Sequence, residues 1–276
     1  MGDRSTRHLG RGPEARIAHL EQASLDLLRE NALLRESAER LARVAAVTAL
    51  LEQEPLRDVL VSVILPTRNR RELLATAVAS VIAQRHRAWE LLIVDDGSSD
   101  GTREALQGLA EPRIRWIRCE GVGPAAARNR GLGEARGAIV AYLDDDNVLS
   151  PLWLHAVAWA FERHPERTVL YGAQAVQEDA AGPGAGPLDR RLWVRFEPWD
   201  RARLERGNYV DLGAVAHRRD LPEARFDERI SQLEDWDLLL RLTRDAAPLE
   251  LPVVCGTSRS DAQGLARAKI EAARDP

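Results

Sequence analysis

Three consecutive carboxylates, Asp144, Asp145 and Asp146, directly follow an apolar run at residues 138–143. Carboxylates packed together repel one another unless a cation or hydrogen-bond donors compensate them. Hard divalent cations prefer oxygen ligands, and Mg2+ keeps several waters while taking one or two carboxylates plus substrate phosphates. The triple aspartate therefore reads as half of a metal–diphosphate site. Two more polar clusters follow apolar runs: Pro66-Thr67-Arg68-Asn69 after residues 59–65, and Asp95-Asp96-Gly97-Ser98-Ser99-Asp100 after residues 89–94. Within the second, Asp95 and Asp100 serve equally well as turn or helix-capping residues. Farther on, Glu234, Asp235 and Asp237 fit the polar face of an amphipathic helix when read alone.

Such clusters can meet only if the runs before them are neighbouring strands. Residues 59–65 have the apolar, β-branched character of a buried strand, and residues 89–94, 114–118 and 138–143 read as the second, third and fourth strands. Between them, residues 71–84 show helical spacing at Leu74, Val78 and Val81, and residues 103–110 suit a helix. Pro124, placed as a first-turn proline, opens another helix to about Arg136. Strands alternating with helices imply right-handed crossovers and a mostly parallel α/β sheet covered on both faces. Ligands of such sheets sit beyond the carboxyl ends of the strands, where all three polar clusters fall. Past Pro151 the pattern predicts a helix at 152–163, a strand near 168–176 and a helix at 233–243. The Gly/Pro-rich stretch 180–187 reads as a mobile loop.

The first 55 or so residues follow a different rule. Leu20, Leu27, Leu34 and Leu41 recur every seven residues, with Ile17, Ser24, Asn31 and Ala38 three positions before them. This is a heptad seam with leucine at d and one Asn at a, a residue that can set register and a two-stranded state. The segment either dimerises the protein through residues 16–51 or lies as an amphipathic helix on the chain's own α/β domain. Pro55 ends it. The expected division is a helical extension at 1–57 and an α/β domain at 58–276.

Composition narrows the class. Of the 276 residues 45% are hydrophobic and 30% charged, enough for a core beneath a solvated surface. No run approaches the roughly 20 apolar residues that span a bilayer, and residues 1–16 lack the apolar stretch of a signal peptide. A cytoplasmic location is expected, with a peripheral place at the membrane face left open. Cys119 and Cys255 alone make neither a disulfide framework nor a zinc site. A net charge of −4 gives no overall attraction to nucleic acid.

The stretch Val61-Ser62-Val63-Ile64-Leu65-Pro66-Thr67-Arg68-Asn69, followed by Leu92-Ile93-Val94-Asp95-Asp96-Gly97-Ser98-Ser99-Asp100-Gly101-Thr102, resembles family 2 glycosyltransferases of the GT-A fold. Residues 121–131 (GVGPAAARNRG), residues 141–151 (AYLDDDNVLSP) and the later Phe226-Asp227-Glu228 and Leu233-Glu234-Asp235-Trp236-Asp237 continue the likeness in order, over roughly residues 59–242. The resemblance implies an inverting, metal-dependent transfer of one sugar from a nucleotide-diphosphate sugar, with UDP-sugars favoured, to a hydroxyl acceptor in glycan, cell-surface or natural-product biosynthesis. It places Pro66, Thr67, Arg68, Asp96, Gly97, Arg128, Asp144 and Asp145 at the nucleotide sugar. Asp144 and Asp146 match the outer positions of the DxD motif and would hold Mn2+ or Mg2+, while Asp235 matches the catalytic base. Trp236 suits either stacking on an acceptor ring or core packing.

Two departures stand out. Some members carry a late metal- or diphosphate-binding histidine, yet no histidine follows His217, so that contact is either missing or replaced, with Arg259 as the candidate. The Gln-x-x-Arg-Trp signature of processive synthases is absent as well. Among competing readings, Gly121-x-Gly123-x-x-Ala126 suits a dinucleotide-dependent oxidoreductase, with an acid about 20 residues on. That reading leaves residues 95–100 unexplained. A nucleotidyltransferase would need a glycine-rich loop after the first strand, and residues 66–71 contain no glycine. A non-catalytic nucleotide-sugar binder, paired with a partner enzyme through the coiled coil, is the third alternative.

Overall fold

The structure, a computed structural model, describes residues 13–106, 108–178 and 191–260. The loop expected at 180–187 lies outside these residues. Helix α1 (Pro13–Gln53) starts on a proline, whose missing N–H costs nothing in a first turn. The chain divides into two compact units between Arg43 and Val44, so the last turns of α1 belong to the unit that holds the sheet.

That unit continues with β1 (Val61–Thr67), α2 (Arg71–Ile82), β2 (Trp89–Asp96), β3 (Ile114–Cys119), α3 (Pro124–Glu134) and β4 (Ile139–Tyr142). β5 (Val148–Leu149), α4 (Trp153–Arg163), β6 (Val169–Glu178), β7 (Arg191–Arg195), α5 (Arg201–Arg206), β8 (Val215–Arg218), α6 (Glu234–Leu242) and β9 (Leu249–Ser260) complete it. The helix expected at 103–110 is a correction: among the described residues of that stretch, a 3-10 turn at Glu104–Leu106 stands in its place. Gly108 then takes a φ of 104°. A run this short cannot offset the cost of helix nucleation without an apolar face to bury.

Among the described residues the strands form one sheet in the order β3-β2-β1-β4-β8-β6-β9-β5, with β7 added to β6. β3, β2, β1 and β4 are parallel neighbours. β8 runs against both β4 and β6, which restores the direction of β6 and of its parallel neighbour β9. The sheet is thus mostly parallel, as the α/β reading requires. β1 and β2 are buried along almost their whole length, which accounts for their continuous apolar runs.

Chain order creates a crevice. From β1 the chain steps outward to β2 and β3, then returns across β1 to place β4 on its other side. The β1–β2 ladder extends to Thr67 and Asp95, but the β1–β4 ladder stops at Ile64 and Tyr142. Pro66 has no N–H to offer a further partner on that side. The two strands therefore part just where the strand order reverses, the place ligands occupy in open α/β sheets.

α3 closes one face of the sheet through small residues. A Cβ on Gly131 would lie 2.7 Å from Ile64 Cγ2 and 3.2 Å from Val94 Cγ2. Gly131→Ala is accordingly expected to destabilise the protein by about 1–3 kcal/mol through overpacking, read as a lower urea midpoint at unchanged slope.

Candidate active site

A cleft of about 340 Å3 opens at the switch between β1 and β4, lined by Pro66, Thr67, Arg68, Arg70, Asp96, Gly123, Pro124, Ala127, Arg128, Asp144, Asp145 and Asp146. Every residue expected at the nucleotide sugar lies on its wall except Gly97, and both DxD aspartates do. Gly97 instead makes the turn after β2 with a φ of 81°. A Cβ there would come within 3.2 Å of the Gly121 nitrogen.

The three aspartates differ in environment. Asp146 is exposed, whereas Asp144 and Asp145 are half-buried. Thr67 Oγ1 donates to Asp145 Oδ2 at 2.8 Å, and Arg70 Nε lies 4.0 Å from its other oxygen. Burial nevertheless pushes the Asp145 carboxyl up to about 6, against the Thr67 bond, and the Asp146 and Asp144 charges add to the rise. Removing water from carboxylates that repel one another favours the protonated form until a cation arrives.

Asp96 has a specific structural task. Its Oδ1 accepts from the Val122 N–H at 2.7 Å and its Oδ2 from the Gly123 N–H at 2.9 Å. Gly121 and Gly123 have φ of 70° and 89°, which lets these amides turn toward the carboxylate. The Val122 and Gly123 amides are thus given to a protein carboxylate rather than directed at a dinucleotide pyrophosphate. Asp95 and Asp100 prove to be turn formers. Asp95 accepts from Ser98 N at 2.8 Å and pairs with Arg118 at 2.7 Å. Asp100 accepts from Arg71 N at 3.1 Å and from Thr102 N at 3.0 Å.

Arg128 ties the cleft to the distant C-terminal segment. It is 8% exposed. Its Nη2 donates to Asp144 Oδ1 at 2.9 Å, and its Nη1 donates to Glu234 Oε1 at 2.6 Å, across 106 positions of sequence. Its guanidinium also lies 5.5 Å from the centre of the Phe226 ring. Glu234 opens α6, and Leu233 just before it has a φ of 64°, a left-handed conformation costly for a branched side chain. That turn sets the first turn of α6 against Arg128.

Asp235 follows Glu234 and does not itself line the cleft. It is half-buried and accepts from Asn208 Nδ2 at 3.1 Å. Burial, with the Glu234 and Asp211 charges, pushes its carboxyl up to about 6, against its backbone hydrogen bond and the Arg128 charge. Asp211 is raised too, first by burial and then by the Asp144 charge. Trp236 turns the other way: its Nε1 donates to the Leu204 carbonyl at 2.7 Å and its ring packs on the core. Core packing, not ring stacking, is therefore its role in this structure.

Arg70, Asn208, Asp211 and Glu234 were not singled out for the site from sequence. No spacing rule links residues 106 positions apart, and Asn208 and Asp211 lie in a segment without a readable period. His217 is structural, with its ring nitrogens 2.7 Å from Tyr142 Oη and 2.8 Å from the Arg218 carbonyl oxygen. Arg259 belongs to β9, but its side chain lies outside the description.

Sequence comparison decides the family. The model described as glycosyl transferase family 2 matches residues 62–209, just over half of the chain. The chain belongs to glycosyl transferase family 2. A relative in Escherichia coli, the UDP-Glc:alpha-D-GlcNAc-diphosphoundecaprenol beta-1,3-glucosyltransferase WfgD, is 39% identical over 92 residues, covering 33% of this chain and 36% of that protein. Across eight such curated relatives the matched region spans between 14% and 66% of the relative's length, and at most 36% in six of them. Among solved structures, TarS 1-349 of Staphylococcus aureus in complex with UDP-GlcNAc superposes with a TM-score of 0.59 at 20% identity, covering 72% of this chain and 58% of that one. The mannosyltransferase PcManGT of Pyrobaculum calidifontis, in complex with GDP-Man and Mn2+, gives 0.55 at 18% identity, covering 88% and 75%. At these identities the likeness is one of fold, and the fold is GT-A.

The family's divalent cation can be tested against this chain's donor chemistry. Among the described residues no three His, Cys, Asp or Glu side chains converge to hold a metal unaided. Asp144 and Asp146 on the wall of an open cleft do fit a hard cation that keeps waters and completes its shell with phosphate oxygens. The raised Asp145 marks the same spot as short of positive charge.

Proposed function

We propose that this family 2 chain transfers one sugar from a nucleoside-diphosphate sugar, UDP-linked in the first instance, to a hydroxyl acceptor with inversion at the anomeric carbon. The observation that carries the reading is the cleft at the β1/β4 switch. It gathers Pro66, Thr67, Arg68, Asp96, Arg128 and all three aspartates from segments up to 80 residues apart. Its volume, about 340 Å3, lies in the range typical of small-molecule sites. The catalytic unit is assigned to 58–276 and the helical extension to 1–57. No described helix is long and apolar enough to cross a membrane, and the proposed location is cytoplasmic, including the membrane face.

In this reading Thr67, Arg68 and Asp96 hold the base and ribose side of the donor, Asp96 through the lone pairs that its Val122 and Gly123 bonds leave over. Asp144 and Asp146 hold Mn2+ or Mg2+, which when bound would neutralise charge on the departing diphosphate. Arg128 adds a fixed positive charge beside Asp144 and keeps Glu234, and with it the first turn of α6, at the cleft's edge. Asp235 takes the proton from the acceptor hydroxyl as that oxygen attacks the anomeric carbon opposite the leaving group, and the sugar–phosphate bond breaks on the far side. A carboxyl pushed up to about 6 remains ionised at neutral pH yet is more basic than an ordinary aspartate.

Donor binding tests the reading directly. UDP with Mn2+ is expected to raise the melting temperature of the wild-type chain, because a ligand of the folded form stabilises it by mass action. Mn2+ or UDP alone should give a much smaller shift, and Asp146→Asn should lose the Mn2+-dependent part. A panel including GDP and dTDP identifies the nucleotide. No shift with any nucleoside diphosphate plus metal would remove the donor assignment.

A further inference from the structure

The apolar seam of α1 has no use in the transfer reaction. Leu34 and Leu41, both at heptad position d, are 61% and 50% exposed, and Leu28 at e is 63% exposed. Among the residues of α1 whose burial is described, Val44 (7%) and Leu51 (0%) are the buried ones. Those two residues occupy g, beside the seam rather than on it. A helix that shows leucines at regular spacing to water lacks the surface that would bury them.

We propose that residues 16–43 pair with the same segment of a second copy of this chain as a parallel, in-register, two-stranded coiled coil. The sequence of the helix supplies the charge complementarity. In a parallel pair, each g position meets the e position of the following heptad on the partner helix. Here those pairings are Arg16 with Glu21, Ala23 with Leu28, Glu30 with Arg35, and Ser37 with Ala42. Both charged pairings join opposite signs, none joins like signs, and two-fold symmetry makes each occur twice.

Asn31 at a then meets its own counterpart, a pairing that fixes register in two-stranded coils. An antiparallel arrangement would set it against a leucine and strand its amide. A slip of one heptad separates Glu30 from Arg35 and sets Asn31 against Ser24 or Ala38. Leu28 at e widens the seam, while Leu25, at b, lies off it. Ser24, Asn31 and Ala38 bury less apolar area than branched side chains at a would, so the association is expected to be reversible and concentration-dependent.

The experiment uses the full chain. Light scattering across a concentration series should show a monomer–dimer equilibrium. Glu30→Arg should weaken it about tenfold or more, and Glu30→Arg with Arg35→Glu should restore it. In a Cys119→Ser background, Leu34→Cys should oxidise to a covalent dimer linked between identical positions, which only the parallel, in-register arrangement brings together. A chain that stays monomeric at every concentration, with its leucines covered by its own domain, would overturn the proposal. So would a dimer indifferent to Glu30→Arg, or a Leu34→Cys dimer that does not crosslink. UDP-dependent melting shifts read the donor site separately, so the two proposals fail independently.

Discussion

Asparagine in place of Asp235 is expected to lower sugar transfer by about 10^2- to 10^4-fold, the usual worth of a positioned general base, while donor binding is unchanged. Asp235 is absent from the wall of the cleft proposed for the nucleotide, so its loss is expected to remove no donor contact. Single-turnover transfer measured alongside UDP-dependent melting separates the two effects. The wild-type rate should fall about tenfold per pH unit below about 6, the value to which burial pushes this carboxyl, and Asp235→Asn should lose that limb. Unchanged turnover in the variant would remove the assignment of the base. A non-catalytic binder would turn over in neither protein.

The same substitution should stabilise the fold. The Asp235 pKa is raised in the folded state, so that state holds the proton more tightly than the unfolded chain does. Stability linked to this group is present below about pH 4, falls as pH rises toward about 6, and stays lost above it. Asn carries no charge to desolvate. At pH 7–8 Asp235→Asn should therefore gain about 1–3 kcal/mol in urea unfolding, and the gain should vanish near pH 4. A residue that costs stability while serving the reaction is the expected trade at an active site.

Arg128→Met is expected to cost about 3–5 kcal/mol, because removing one partner of a buried ion pair leaves the others uncompensated. Here two carboxylates lose the same guanidinium, Asp144 at 2.9 Å and Glu234 at 2.6 Å. Arg128→Lys should recover only part of the loss, since one ammonium cannot reproduce a planar fork directed at two acceptors. Arg128→Met with Glu234→Gln should be more stable than Arg128→Met alone, because the second change removes one of the stranded charges. If Arg128→Met unfolds at the wild-type urea midpoint, the bridge is not a structural link between the cleft and α6. Loss of transfer in the better-folded double variant, with the UDP- and Mn2+-dependent melting shift retained, would show that the bridge also orients the base.

Local pattern made much of the first half legible. β1, β2 and β4 lie within two residues of their apolar runs, because a strand buried on both faces must be continuously hydrophobic, and the edge strand β3 was legible from its apolar–polar alternation. The 3-10 turn at residues 104–106 was the exception, since helical propensity over so short a stretch does not decide its conformation. The second half was harder to read. β5, β7, β8 and β9 are short or irregular, and β9 shifts register against β6 at Gly172 and Ala173. Such strands are specified by their neighbours rather than by a period of their own.

What the sequence determined by itself was the set of chemical groups and the family. The aspartates after the fourth strand, the turn after the second and the glycine loop are contiguous motifs whose spacing is local. Tertiary structure decided how those groups share their work. Asp96 spends both oxygens on the Val122 and Gly123 amides, Trp236 faces the core, and Arg128 joins Asp144 to Glu234. Each of these rests on the approach of segments 16 to 106 positions apart. The order of strands across the sheet sets that distance, and no local repeat of side chains encodes it.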